Sequence, residues 1–475
     1  MTPIVIDVSW FVAWLQGLPG YVTELGNLSF PLMLVRIFLD VGWIPFLLVI
    51  LWGGWNLWVQ WRQNKYAATI ETCVIAVDVP RQNEQTAKAV ENIFSTLAGA
   101  YSGLDRFEKY WLGKFQPTFS FEIASIGGYV QFMVHTWVKH RDLVEAAIYA
   151  QYPDAEIVEI ADYTGGIPRK YPDSDWDIFG TEFVLKKPSH LPIRTYIQFE
   201  QPSAEYPFKD PLSTLLEIFA GIKPAEQIWI QYLITPNSGS WKDVGQKAVD
   251  KMMGKKSAKK GSMLDEALWL PRGVAKEMAG IFSTTTESPP KKEEKKDDFK
   301  MMNLSPGERG VLEAVQMKLA KIGFDCKIRV IYAGKRGIFS KKRFSALKGA
   351  LMHFSAMDMN EFKSYGKVTP KSDYFYQRWS EPTKKMSLVR RFRSRSNEGS
   401  PTYILNIEEL ATIYHYPMLD VKAPLIKKTD AKRAEPPSRL PTVDFAESPF
   451  KVAPPKPEES AEEEEGEPPA NLPFA

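Results

Sequence analysis

The sequence predicts an α+β chain: an N-terminal transmembrane helix, two α/β sandwich domains and a disordered tail. Three observations lead there. One early apolar run is long enough to span a bilayer. After it, the hydrophobic period switches repeatedly between two and about 3.6 residues. Beyond residue 420, Pro, Lys and Glu replace the apolar residues a core requires.

The totals agree with that division. A chain of 475 residues has room for two or three domains. Its formal net charge of +3 is too small to imply a polyanionic partner by itself. The two cysteines, Cys73 and Cys326, fall far apart in strand-like runs. That placement argues against a disulfide framework or a zinc site and suits reduced, buried thiols.

The anchor comes first. From Val41 to Val59 the sequence reads "VGWIPFLLVILWGGWNLWV", with Asn56 its only strongly polar side chain. At about 1.5 Å per residue this run nearly matches the hydrocarbon core of a bilayer. Trp43 at one end and Trp55, Trp58 and Trp61 at the other suit the two interfaces. Arg36 and Asp40, one helical turn apart, are placed to pair at the headgroup level. No Lys or Arg precedes Arg36, whereas Arg62 and Lys65 follow the run. The positive-inside rule then predicts a single-pass protein of the inner (cytoplasmic) membrane, N-terminus out and bulk cytoplasmic. Residues 1–30 are expected outside or at the interface, and 31–64 as the anchor. Residues 4–20, apolar but short, are open to a second membrane segment.

Residues 66–165 read as the first sandwich domain. "TCVIAVDV" alternates as a strand, and Ala87, Val90, Phe94, Leu97 and Tyr101 mark a helix face. Gly127-Gly128 between two alternating runs signals a hairpin. A helix over 141–152 and the strand "AEIVEI" complete β-α-β-β-α-β, the split pattern of a ferredoxin-like sandwich. Residues 172–420 read as a second such domain: "TEFVLKK", "IRTYIQFE", "PLSTLLEIFAG", "QIWIQYLIT", then "CKIRVIY" and a helix bearing Phe344, Leu347, Leu351 and Phe354. An insert over 237–304 interrupts it, with a helix near 242–253 and Lys-rich stretches. Ser305, Pro306 and Glu308 mark a capped helix start after the insert. The tail, 421–475, is expected to be disordered.

Chemistry is harder to find. No P-loop, dinucleotide fingerprint, H-E-x-x-H, C-x-x-C or G-x-S-x-G occurs. No catalytic, metal-binding or cofactor-binding residue is therefore predicted, and no cofactor. The stretch "YILNIEELATIYHYP", Tyr403 to Pro417, pairs Glu408 and Glu409 with His415, one of five histidines. Its plainer reading is a capped helix, with Asn406 as N-cap, Glu409 at N3 and Pro417 as the stop. One basic concentration stands out: Lys335, Arg336, Lys341, Lys342 and Arg343, then Lys384, Lys385, Arg390, Arg391, Arg393 and Arg395. Phe339, Phe344 and Phe392 are interleaved. Phosphate contacts with stacking would suit DNA, and a membrane-anchored chain could equally set such residues against anionic lipid. A merely solvated surface is the third reading.

"YILNIEELATIYHYP" followed by "EPPSRLP" resembles the stretch just before the motor domain in bacterial type IV secretion and conjugation-like ATPases. "RDLVEAAIYAQYPDAEIVEI" and "VLEAVQMKLAKIGFDCKIRVIYAG" resemble the N-terminal, non-motor region of those proteins. In that family a P-loop motor follows the "PPxxLP" element, whereas here 34 residues remain after Pro441. The resemblance thus implies a non-enzymatic, membrane-anchored scaffold that docks a separate P-loop transfer ATPase. The alternative is a membrane-tethered nucleic-acid-binding protein using basic patches 335–348 and 384–395.

Overall fold

The computed structural model describes residues 29–80, 83, 85–199, 210–253 and 305–418. The expected second membrane segment at 4–20, most of the insert (254–304) and the tail lie outside them. The described chain divides into two units.

The first unit holds the apolar helix. Helix α1 (Phe30–Ile37) passes through a π-helical turn, Phe38–Gly42, into α2 (Trp43–Ala67). The widened turn lies just before Pro45, whose ring removes an N–H and crowds the preceding turn. α2 is long and apolar enough to cross a membrane, and none of its residues is buried in protein. Asn56, its polar intruder, donates from Nδ2 to the Trp52 carbonyl at 2.7 Å and so satisfies itself within the helix. The Asp40 side chain, and with it the Arg36–Asp40 pairing, lies outside the described residues. Residues 104–115 also belong to this unit.

The second unit is built on one antiparallel nine-stranded sheet. Its elements are β1 (Thr72–Asp78), α3 (Ala87–Leu97), β2 (Phe119–Ile126), β3 (Tyr129–Trp137), α4 (Arg141–Tyr149) and β4 (Glu156–Ile160). Then come β5 (Trp176–Leu185), α5 (Tyr196–Phe199), α6 (Ser213–Ala220), β6 (Glu226–Pro236), α7 (Trp241–Met252) and α8 (Pro306–Ala320). The run ends with β7 (Gly323–Lys335), α9 (Lys341–Met352), β8 (Phe362–Ser364), α10 (Phe375–Arg393), β9 (Tyr403–Asn406) and α11 (Ile407–Ile413). Local signals set many of these boundaries. Gly127 and Gly128, with φ of 62° and 93°, form the two-residue turn between β2 and β3. Ser305 and Glu308 close a capping box on α8, as do Asn406 and Glu409 on α11.

The strands lie in the order β4-β1-β3-β2-β6-β7-β5-β8, and β9 pairs with the start of β7. Counted from its outer edge, each half reads fourth, first, third, second strand in its own chain order. The halves do not form separate sandwiches. β2 pairs with β6 from Phe119↔Ile234 to Ile126↔Gln227, which makes one sheet of the two. On one face Phe121, Ile123, Ile230, Tyr232, Ile328 and Val330 pack with α3, α4, α6, α9 and α11 in a single core. The opposite face carries a smaller apolar cluster, in which Trp229 and Ile331 meet Leu388, Val389 and Phe392 of α10. A third cluster joins α7 to α8 through Val249, Leu312, Val315 and Leu319.

Candidate functional site

The residues singled out for possible chemistry at 403–417 are enclosed, and each has a structural partner. Glu409 accepts from the Asn406 backbone N–H at 2.9 Å and from the Ile193 N–H at 2.8 Å, and pairs with Lys318 Nζ at 2.8 Å. Glu408 pairs with Lys321, which also binds Glu91 of α3. Both nitrogens of His415 face acceptors: Nδ1 the Ala411 carbonyl and Nε2 the Asp210 carboxylate, each at 2.9 Å. Burial alone would lower the His415 pKa. The Asp210 charge and the hydrogen bonds to Asp210 and the Ala411 carbonyl together outweigh it, and the pKa is raised. α11 is thus a latch that ties together α3, α8 and the loop holding Asp210.

The eleven basic residues separate into two groups. Arg395 is buried and bound to Glu122 and Asp162. Arg391 reaches Glu182 at 3.3 Å, and Arg393 donates to the Thr164 and Ile167 carbonyls at 2.6 Å. Lys385 bridges Asp177 and Glu381, and Arg343 pairs with Glu226. Phe344 and Phe392 are in the core, and Phe339 stacks on Tyr332 with centroids 5.1 Å apart. Lys335, Arg336, Lys341, Lys342 and Arg390 are exposed, and Lys384 is half-buried. Arg336 is tethered to the Asp173 carbonyl by Nε, and Arg390 lies 3.8 Å from Glu398. Asp177, the partner of Lys385, is in register with Gly334. The start of the second basic segment therefore sits at the same end of the sheet as Lys335 and Arg336.

Beneath α10 lies a charged network that sequence reasoning missed. Glu122 of β2, Gln231 of β6, Arg329 of β7 and Glu182 of β5 are consecutive register partners in one row across the sheet. All four are fully buried. Arg329 uses its whole guanidinium: Nε to Glu182 at 3.0 Å, Nη1 to Gln231 at 2.7 Å and the Arg391 carbonyl, Nη2 to the Ser396 and Glu398 carbonyls. Gln231 passes the chain on to Glu122 at 2.9 Å, where Ser120, Tyr163 and Arg395 also donate. Lys327 clamps the following loop through the Asn397, Glu398 and Ser400 carbonyls.

The electrostatics follow from that geometry. Burial pushes the Glu122 and Glu182 carboxyls up, but their partners together more than offset it, Arg395 and Ser120 at Glu122 and Arg329, Lys327 and the Ser400 N–H at Glu182, and both stay below the ordinary value. Asp162 is held at about 2, where Arg395 and the Thr164 N–H outweigh burial. His135, beside the same group, is pushed down to about 4 by burial and by Arg395. Burial lowers Lys327 to about 8. The sequence did carry a signal: Glu122, Gln231 and Arg329 each stand between apolar residues away from the ends of a strand-like run.

Among the described residues no group of three or more His, Cys, Asp or Glu is placed to hold a metal ion. What the arrangement does chemically is fix α10 and residues 394–400 on the sheet, leaving a basic edge outside. Phe375 and Trp379 on the first turns of α10 are also exposed. Residues 75–429 match the family model described as Domain of unknown function (DUF8128). No curated protein matches the chain.

Proposed function

The chain belongs to the DUF8128 family, and from that premise we propose that it is a non-enzymatic, membrane-anchored scaffold. It holds a separate P-loop ATPase at the inner membrane, within a type IV secretion, conjugation or pilus-like transfer machine. One observation carries this reading: an apolar helix with no buried residue leads into a body whose buried charged groups are taken up by internal pairs. Groups that would nominate an active site, Glu408, Glu409 and His415 among them, serve as caps and clamps instead. The resemblance of the 141–160, 311–334 and 403–417 segments to the non-motor region of transfer ATPases supplies the type of partner. We read the two halves of the sheet as ferredoxin-like units fused through β2 and β6, with the body on the cytoplasmic side where Arg62 and Lys65 lie. The test is purification of the tagged full-length chain from its native membranes. A P-loop ATPase should co-purify in near-stoichiometric amount; recovery of none overturns the proposal.

A second reading, a membrane-tethered nucleic-acid binder, is favoured by the convergence of Lys335, Arg336 and the 384–385 turn at one end of the sheet. It requires affinity for DNA that falls steeply with salt and weakens further in a Lys335→Glu/Lys342→Glu variant. Salt-insensitive or absent retention in filter binding excludes it.

A further inference from the structure

We infer that residues 104–115 are a second lipid contact, a short segment seated in the phospholipid headgroup layer beside the end of α2. The inference rests on the membrane reading of α2 and adds a second element to it. The segment reads "LDRFEKYWLGKF": Phe107, Tyr110, Trp111 and Phe115 interleave with Arg106, Lys109 and Lys114. Aromatic rings and long basic stems are the side chains that settle at a membrane–water boundary, apolar body inward and polar tip in water.

Its position along α2 sets its depth. Tyr110 lies 5.7 Å from Trp55, Trp111 6.0 Å from Trp58, and Phe115 5.7 Å from Tyr66. Arg62 Nε donates to the Trp111 carbonyl, which sets that residue level with Arg62. Arg36 and Arg62 bracket the apolar run, and the helix between them is about 39 Å long, close to a bilayer with its headgroups. Trp111 therefore falls at the headgroup boundary. Arg62 also lies 5.9 and 5.7 Å from the Trp58 and Trp61 rings, and Lys109 Nζ 5.4 Å from the Tyr110 ring.

The seat is built into the backbone. The π-helical turn Glu108–Leu112 ends at Gly113, with φ of 74°. A Cβ at Gly113 would lie 2.4 Å from the Arg62 carbonyl oxygen, so backbone meets backbone there. Glu108 closes the loop by accepting from Lys114 Nζ at 2.8 Å and from the Asp105 N–H. Yet Phe107 is 61% exposed and Trp111 56%, their rings stacked 6.3 Å apart. This apolar surface is continuous with that of α2, and the occupant that covers the one covers the other.

The test uses the full chain in vesicles of phosphatidylcholine and phosphatidylglycerol with doxyl groups on the acyl chains. An environment-sensitive fluorophore is attached at Ile50→Cys, Phe107→Cys or Lys348→Cys, with the wild type as blank because Cys73 and Cys326 are buried. Labels at 50 and 107 should be blue-shifted and quenched, and the label at 348 should behave as in water. Gly113→Val should abolish most of the quenching at 107 and leave that at 50. A water-like label at 107 beside a quenched label at 50 overturns the lipid seat alone. An unquenched label at 50 overturns the membrane reading and this inference with it. Undiminished quenching at 107 in Gly113→Val overturns the glycine-built seat.

Discussion

Two arginines four residues apart on the helical period illustrate what placement does to a charge. Arg391 and Arg395 look alike in sequence, and so does Arg390, but only Arg395 is sealed against Glu122 and Asp162. Removing one partner of a buried pair leaves the other charged and unsolvated. Arg395→Ala should therefore lower stability by about 3–5 kcal/mol in denaturant titration, whereas Arg390→Ala should stay within about 0.5 kcal/mol of wild type. Equal effects would refute the network. Histidines give the pH dependence. His135 titrates near 4 when folded, below its ordinary 6.5, so the unfolded chain binds the extra proton and stability falls as pH drops from about 6.5 to about 4. His415 is shifted the other way, so its contribution is complete below pH 6.5 and is lost as pH rises through its raised pKa. His135→Gln should flatten the acid-side decline, and His415→Gln the decline above 6.5. Stability curves with unchanged slopes would contradict both assignments.

Local elements were legible because their causes are local. The Gly127-Gly128 hairpin, the capping boxes at Ser305 and Asn406, and the long apolar helix each follow from a few adjacent residues. The charged network was not, because Arg395 meets Glu122 across 273 positions of chain and Arg329 meets Glu182 across 147. Nothing in the run Lys384 to Arg395 distinguishes a buried guanidinium from a solvated one. The fusion of the two halves was hidden for a similar reason: β2 and β6 are buried on both faces, and their alternation does not say what lies along the edge. α10 depends on a close approach at β5. A Cβ on Gly180 would lie 2.8 Å from Leu388 Cδ2 and 2.4 Å from the Val330 carbonyl oxygen. Gly180→Val should loosen α10 from the sheet, raising hydrogen exchange across 385–395 while leaving 87–97 protected. Protection retained at 385–395 would show that α10 does not depend on this contact.

Taken whole, the molecule joins an apolar helix with no buried residue to a body organised by one sheet. The shared sheet and core predict that both halves of the body unfold in one transition, with probes in β1 and β8 giving the same midpoint. Separate midpoints would mean that the β2–β6 seam does not couple them. The long apolar helix was readable from composition, whereas the proposed partner rests on resemblance, since a docking surface has no period. The most direct measurement is lysine-specific cross-linking of the full-length chain in intact native membranes, followed by identification of the linked peptides. Links from Lys335, Lys341, Lys342 or Lys384 to a single P-loop ATPase are the predicted result. Cross-linked partners that include no ATPase would contradict the scaffold account.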